Sequence, residues 1–330
     1  MKKTILFLLI TIFTNAQWSI STSERNALIS IYNQTDGANW SQSWDLEKDP
    51  YYWYGVKTSN GTVTELKLNG NLLKGNFPTS VFSLTNLKKL DLSSNKLYGE
   101  IPNLSSLSNL TYLNLSNNDF TGDVWSSYSN LPNLEEIYVG HNNCNISNTD
   151  FSGFSGLKSL DISKLNLTEI PASLGSLQKL SSLNVSNNAI VSFSNLSSLN
   201  QLQELNLANN NLNKVPSEII NFISLKSLDL SNNIITDFSS LSNLINLEWL
   251  SLENNSLQNI PNQVSNLQKL IHLNLGRNKI NGSTSILGTL NHLQQLWLNH
   301  NKLSGNIPQD LLALPNLMCL SLQSNELEGT

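Results

Sequence analysis

At 330 residues, with a net charge of −5 and only 13% charged side chains, the chain has no basic stripe to neutralise a phosphate backbone, which argues against a nucleic-acid partner. Its polarity comes from asparagine and serine rather than from charge. A length prior alone allows two globular domains, but a fixed internal period overrides it, because each repeated unit packs only on its neighbours.

The first sixteen residues carry Lys2 and Lys3, an apolar run from Ile5 to Phe13, and Thr14-Asn15-Ala16 as a small-residue cleavage signal. This reads as a secretory signal peptide over 1–16, so the mature chain is expected to begin near Gln17 and to be exported, released or held on the outer cell surface. The apolar run falls short of the about 20 residues that cross a bilayer, and no later segment is comparable. Residues 17–62 read as an N-terminal cap. Ser21-Thr22-Ser23-Glu24 fits a capping box, followed by Ala27, Leu28, Ile31 and Tyr32 on one helical face. Trp40, Trp44 and Trp53 are expected to shield the open edge of the unit that follows.

Over 63–330 the pattern L-x-x-L-x-L-x-x-N-x-L recurs twelve times, starting at Val63, Leu87, Leu110, Leu134, Leu157, Leu180, Leu202, Leu225, Leu247, Leu270, Leu293 and Leu317. Such a period predicts an α/β solenoid of leucine-rich repeats: a right-handed horseshoe with a parallel β-sheet on the concave face and short helical or 3-10 segments on the convex face. Within x-L-x-L-x the leucines fall on the core side and the intervening residues are displayed. The asparagine three positions after the third leucine, for example Asn118, Asn210 and Asn233, is expected to bond the turns of its own and adjacent repeats. Repeat 5 has Leu165 there, which predicts a local adjustment of that turn. Repeat 12 stops at Gly329-Thr330 with no closing cap, so the chain is read as a fragment.

Repeats 1, 2 and 11 carry Gly75-Asn76-Phe77-Pro78, Gly99-Glu100-Ile101-Pro102 and Gly305-Asn306-Ile307-Pro308, while repeats 6 and 8 have shorter links centred on Phe193 and Phe238. These G-x-[IF]-P units resemble the plant-type leucine-rich repeat class of plant receptor ectodomains and bacterial secreted proteins. The stretch Asp49-Pro50-Tyr51-Tyr52-Trp53-Tyr54-Gly55-Val56 resembles that family's N-terminal cap. In the plant cap two cysteines flank the Trp-x-Gly-Val element; Tyr51 and Thr58 take their places here, which implies a bacterial member whose cap is held by aromatic packing. The resemblance implies a recognition protein that binds a protein or glycan ligand on the concave sheet without catalysis. Two alternatives stay open: a structural or adhesive spacer, and the targeting arm of an enzyme whose catalytic domain lies beyond residue 330.

Most displayed strand positions are small and polar, weakly acidic across repeats 5 to 8. Two places differ. Repeats 9 to 11 display Trp249, His272 and Trp297, with Glu253, Arg277 and His300 toward the turn; repeats 3 and 4 display Tyr112 and Tyr138. Aromatic residues and arginine are enriched in binding hot spots, so these eight are the candidate ligand contacts. No phosphate-binding glycine loop, H-E-x-x-H or paired-cysteine motif occurs, so no cofactor, metal or catalytic residue is expected. Asp91, Asp161 and Asp229 share one repeat position and read as solvated turn residues. Cys144 and Cys319 lie eight repeats apart, roughly 40 Å at a strand spacing of about 4.8 Å, too far to bridge.

Overall fold

The computed structural model describes residues 19–123, 131–193 and 196–328. The segment read as a signal peptide lies outside the described residues. Each repeat supplies a short strand whose middle residue is buried, as in Ser182–Asn184 around Leu183 and Ser227–Asp229 around Leu228, except that Leu320 of the last repeat is partly buried. These strands form a 13-stranded sheet in chain order. Its first strand, Val56–Ser59, pairs antiparallel with Thr62–Lys67; every later pair is parallel and in register, so the central leucines stack in one row. Strands at about 4.8 Å are more closely spaced than the bulkier return segments behind them, which curves the coil with the sheet inward.

The return segments are mainly five-residue 3-10 turns, such as Ala172–Ser176, Ser217–Asn221 and Asn262–Asn266, each preceded by a proline. Proline fixes φ where no amide donor is needed. Each turn buries one apolar residue: Leu174, Ile219 and Val264. The G-x-[IF]-P units add something that periodicity did not predict. They contribute to a 3-stranded sheet of Lys74–Asn76, Lys96–Glu100 and Asp119–Thr121, and to a 2-stranded sheet of Ser304–Gly305 with Glu326–Leu327. Gly75 runs so close to the cap helix that a Cβ there would meet the Gln34 carbonyl at 2.5 Å.

The asparagine column closes the inner turns. Asn233 accepts the Leu212 amide at 3.1 Å and donates to the Leu207 and Leu230 carbonyls at 3.0 and 3.1 Å. At repeat 5 the turn is indeed altered, with Lys164 and Asn166 both left-handed. Leu165 is not the cause, because repeats 1 and 9 keep their asparagines and show the same paired left-handed residues, Gly70 with Leu72 and Asn254 with Ser256. In all three, one asparagine oxygen of the next repeat takes two amides, as Asn188 does from Leu165 and Leu167. What Leu165 removes is felt one repeat earlier: the Cys144 amide stands where Leu212 donates to Asn233, and a leucine side chain offers it no acceptor.

In the cap, helix Thr22–Gln34 is capped by Ser21, whose side chain accepts the Glu24 amide. Instead of closing the box on the Ser21 backbone, the buried Glu24 carboxylate accepts the Val63 amide at 3.2 Å and ties the helix to repeat 1. Burial raises its pKa, the bonds from Val63 and Ser21 offsetting this in part. Trp44 stacks on Trp53 at 4.7 Å and meets Trp40 edge-on at 4.9 Å, and all three indole N–H groups reach backbone carbonyls. Gly55 permits the sharp entry into the first strand: φ is +75°, and a Cβ would lie 1.9 Å from the Lys67 carbonyl.

Candidate ligand-binding face

Each inner strand presents two outward residues, at its first and third positions, and the two rows have different physics. In the third row Asp91, Asn114, Asp161, Asn184, Asn206, Asp229 and Asn274 each accept the amide two residues on, at 2.8 to 3.1 Å. This Asx-turn satisfies a backbone donor where the strand ends. The Asp row thus has a structural role, as expected of a turn residue. Lys67, Ser251 and Ser321 interrupt it in repeats 1, 9 and 12, and two aromatic residues do so as well: Tyr138 and Trp297 occupy the third position of repeats 4 and 11 and leave the Gly140 and Asn299 amides without that bond.

Tyr112 stands in the first row and Tyr138 in the third, one strand apart, with ring centroids 5.6 Å apart. The Tyr138 hydroxyl donates to Glu136 Oε2 at 2.8 Å and contacts Ser159 Oγ at 3.2 Å. Burial, reinforced by Glu136, pushes its pKa up to about 12, and burial raises that of Tyr112 as well. The Lys89 ammonium lies 5.9 Å from the Tyr112 ring centroid. The two tyrosines therefore meet ring to ring as neutral phenols, each hydroxyl hydrogen-bonded to neighbours other than its partner.

The second candidate group is looser. Trp249 and His272 are register neighbours, whereas Trp297 lies two strands from Trp249 and two residues further along, about 12 Å between Cα positions on sheet spacing. All three are partly buried. Glu253 is held between Arg277, at 3.1 Å, and Asn274, at 3.0 Å. Arg277 and His300 are exposed and occupy successive left-handed turn positions, with φ of 53° and 55°, where asparagine stands in repeats 6 to 9. Arginine gains nothing from that backbone, which asparagine tolerates far better.

Between the two groups lies a hollow of about 630 Å³ over repeats 4 to 9, walled by Tyr138 and Trp249 and floored by Ser159, Asp161, Ser182, Asn184, Glu204, Asn206, Ser227 and Asp229. His272 and Trp297 lie outside it. None of these floor residues is among the eight contacts that the sequence suggests; the signal for them is a run of outward positions with carboxylates and no cation, bounded by an aromatic on each side. Among the described residues no three histidine, cysteine or acidic side chains gather as a metal site, and no helix is long and apolar enough to cross a membrane. Cys144 is buried, which pushes its pKa up to about 11, and Cys319 is exposed on the strand Cys319–Ser321.

A curved coil with a hollowed, side-chain-lined inner sheet defines a recognition scaffold. The chain belongs to the leucine-rich repeat family: the leucine-rich repeat models match residues 155–212 and 200–257, 85–130, and 292–314. It is 35% identical over 88 residues to a probable inactive receptor kinase of Arabidopsis thaliana, a match covering 26% of this chain and 13% of that protein. The chain thus spans only a small part of the receptor kinases it resembles. Among solved structures it is similar to an internalin of Listeria monocytogenes, with 29% identity, a TM-score of 0.64, and 83% of this chain and 87% of that one covered. It is also similar to the ectodomain of the Arabidopsis receptor kinase HAESA in complex with a peptide hormone ligand, with 28% identity, a TM-score of 0.64, and 93% and 49% covered.

Proposed function

We propose that this chain is an exported, non-catalytic recognition module, with a leader over 1–16, a cap over 17–62 and repeats over 63–330, that binds an extended protein segment across its concave sheet. One observation carries the reading: Tyr138 and Trp297 stand where folding favours an Asx-turn residue, so these positions forgo a local hydrogen bond of about 1 kcal/mol to display an aromatic ring. Rigid aromatic anchors on a preformed surface are what a binding face needs. The peptide bound by the HAESA ectodomain supports a polypeptide ligand over a glycan. Tyr112, Tyr138, Trp249, His272 and Trp297 are the proposed anchors, with Glu253, Arg277 and His300 at the rim.

The test is capture from surface extracts by the exported chain beside a Trp249→Ala/Trp297→Ala variant of unchanged circular dichroism. A protein retained by the first and lost by the second supports concave recognition. Equal capture by both would reduce the repeats to a spacer.

A further inference from the structure

The hollow between the aromatic groups carries more than shape. Asp161 and Asp229 sit in the third row, and Glu204 in the first row between them. Among the described residues no ion pair involves any of the three. The nearest lysines on these strands, Lys158 and Lys226, pair with Glu135 at 2.9 Å and Glu248 at 3.8 Å, and Lys164 stands out at the turn. The fold does not require the negative charge, because Asn114, Asn184, Asn206 and Asn274 make the same Asx-turn that Asp161 and Asp229 make.

Each of these two aspartates also has an aromatic ring on the neighbouring strand. Tyr138 is the register partner of Asp161, and Trp249 is the register partner of Ser227, two residues before Asp229. A carboxylate beside an aromatic face is a cradle for a guanidinium, which hydrogen-bonds the one and stacks on the other. The two cradles lie three strands apart in register, about 14 Å. In an extended chain, side chains four residues apart point the same way and are separated by about the same distance.

Resting on the concave-face reading above, we infer that the hollow selects a basic extended polypeptide segment, with two arginine or lysine side chains four residues apart, one in the Asp161–Tyr138 cradle and one in the Asp229–Trp249 cradle. Glu204 faces the stretch between them, and the serine and asparagine floor offers hydrogen bonds to the ligand backbone.

The experiment uses the whole exported chain and two fluorescent serine–glycine peptides, one with two arginines four residues apart and one with glutamines in their place, read by anisotropy. The arginine peptide is expected to bind roughly tenfold more tightly, with the difference shrinking at high salt and lost in Asp161→Asn/Asp229→Asn, a variant whose turns the neighbouring repeats show to be sound. Equal affinity for the two peptides, or an arginine preference that survives the double variant, overturns the inference. Peptide binding that falls in Trp249→Ala but ignores both aspartates overturns the charge selection and leaves the concave-face reading standing. Failure of the chain to bind either peptide also overturns the inference, while the capture experiment still decides that reading.

Discussion

Repeats 5 to 8 and the repeats on either side share one strand geometry, one apolar core row and an asparagine column interrupted at Leu165, and differ in what they turn outward. In repeats 5 to 8 every third-row residue is Asp or Asn closing an Asx-turn. In repeats 4 and 11 that residue is Tyr138 or Trp297, and the bond is absent. Where the local rule holds, folding explains the side chain; where it is broken with no gain to the backbone, another selection is at work. The two regions therefore separate what the coil needs from what it displays, and substitutions on each side of that line should behave differently.

The largest effect belongs to the side that both regions share. Asn233→Ala orphans the buried Leu212 amide and takes one of two asparagine donors from each of the Leu207 and Leu230 carbonyls, and is expected to cost about 3 kcal/mol in denaturant titration. Asn184→Ala, which loses an outward Asx bond and a part-buried donation to Asp161, should cost about 1 kcal/mol. Similar costs at the two positions would erase the distinction between core side and displayed side.

Trp297→Asn sharpens the contrast from the other direction. It restores the Asx-turn residue used in repeat 10 and gives up a partly buried ring, so stability is expected to stay within about 1 kcal/mol of the parent while ligand capture falls. A large loss of stability would mean that Trp297 serves packing and that the flanks answer to folding after all.

How much of this was legible beforehand follows the same line. Period alone carried the repeats, the inner sheet and the asparagine column, because each rests on residues recurring at a fixed spacing and facing a near neighbour. The second sheets at Lys74–Asn76 and Ser304–Gly305 were not legible: the G-x-[IF]-P units signalled a class of repeat, but pairing of their return legs depends on how adjacent coils stack. For the binding face, the candidates themselves were readable one repeat at a time. Their grouping was not, since Trp249 and Trp297 occupy different rows while Tyr138 and Trp249, far apart in sequence, wall the same hollow. Nor could a single repeat show that Asp and Asn are interchangeable for the turn, which is what makes the charge at Asp161 and Asp229 informative.

The tyrosine side of the flank has a signature in alkali. Tyr138 keeps its proton up to about 12 when folded, against the ordinary 10, so between those values the unfolded chain ionises first and stability drains away as pH rises. Below about pH 10 the contribution is fully present. Tyr138→Phe should therefore lose less stability than the parent between about pH 9 and about pH 11, measured by urea midpoints. An identical loss in both would mean the Tyr138 phenol is as free in the folded chain as in the unfolded one.

The smallest effect is expected where the comparison is most exposed to error. Asp161→Asn/Asp229→Asn keeps both Asx acceptors and, besides unpaired charge, gives up only the part-buried bond from Asn184 to the second Asp161 oxygen, so its unfolding midpoint should match the parent within about 1 kcal/mol, the relief of Glu204 from two like-charged neighbours offsetting that loss. A clear loss of stability would show that the turns of repeats 5 and 8 require the carboxylate itself. The acidic hollow would then be a product of folding, and the separation between what the coil needs and what it displays would fail on its own floor.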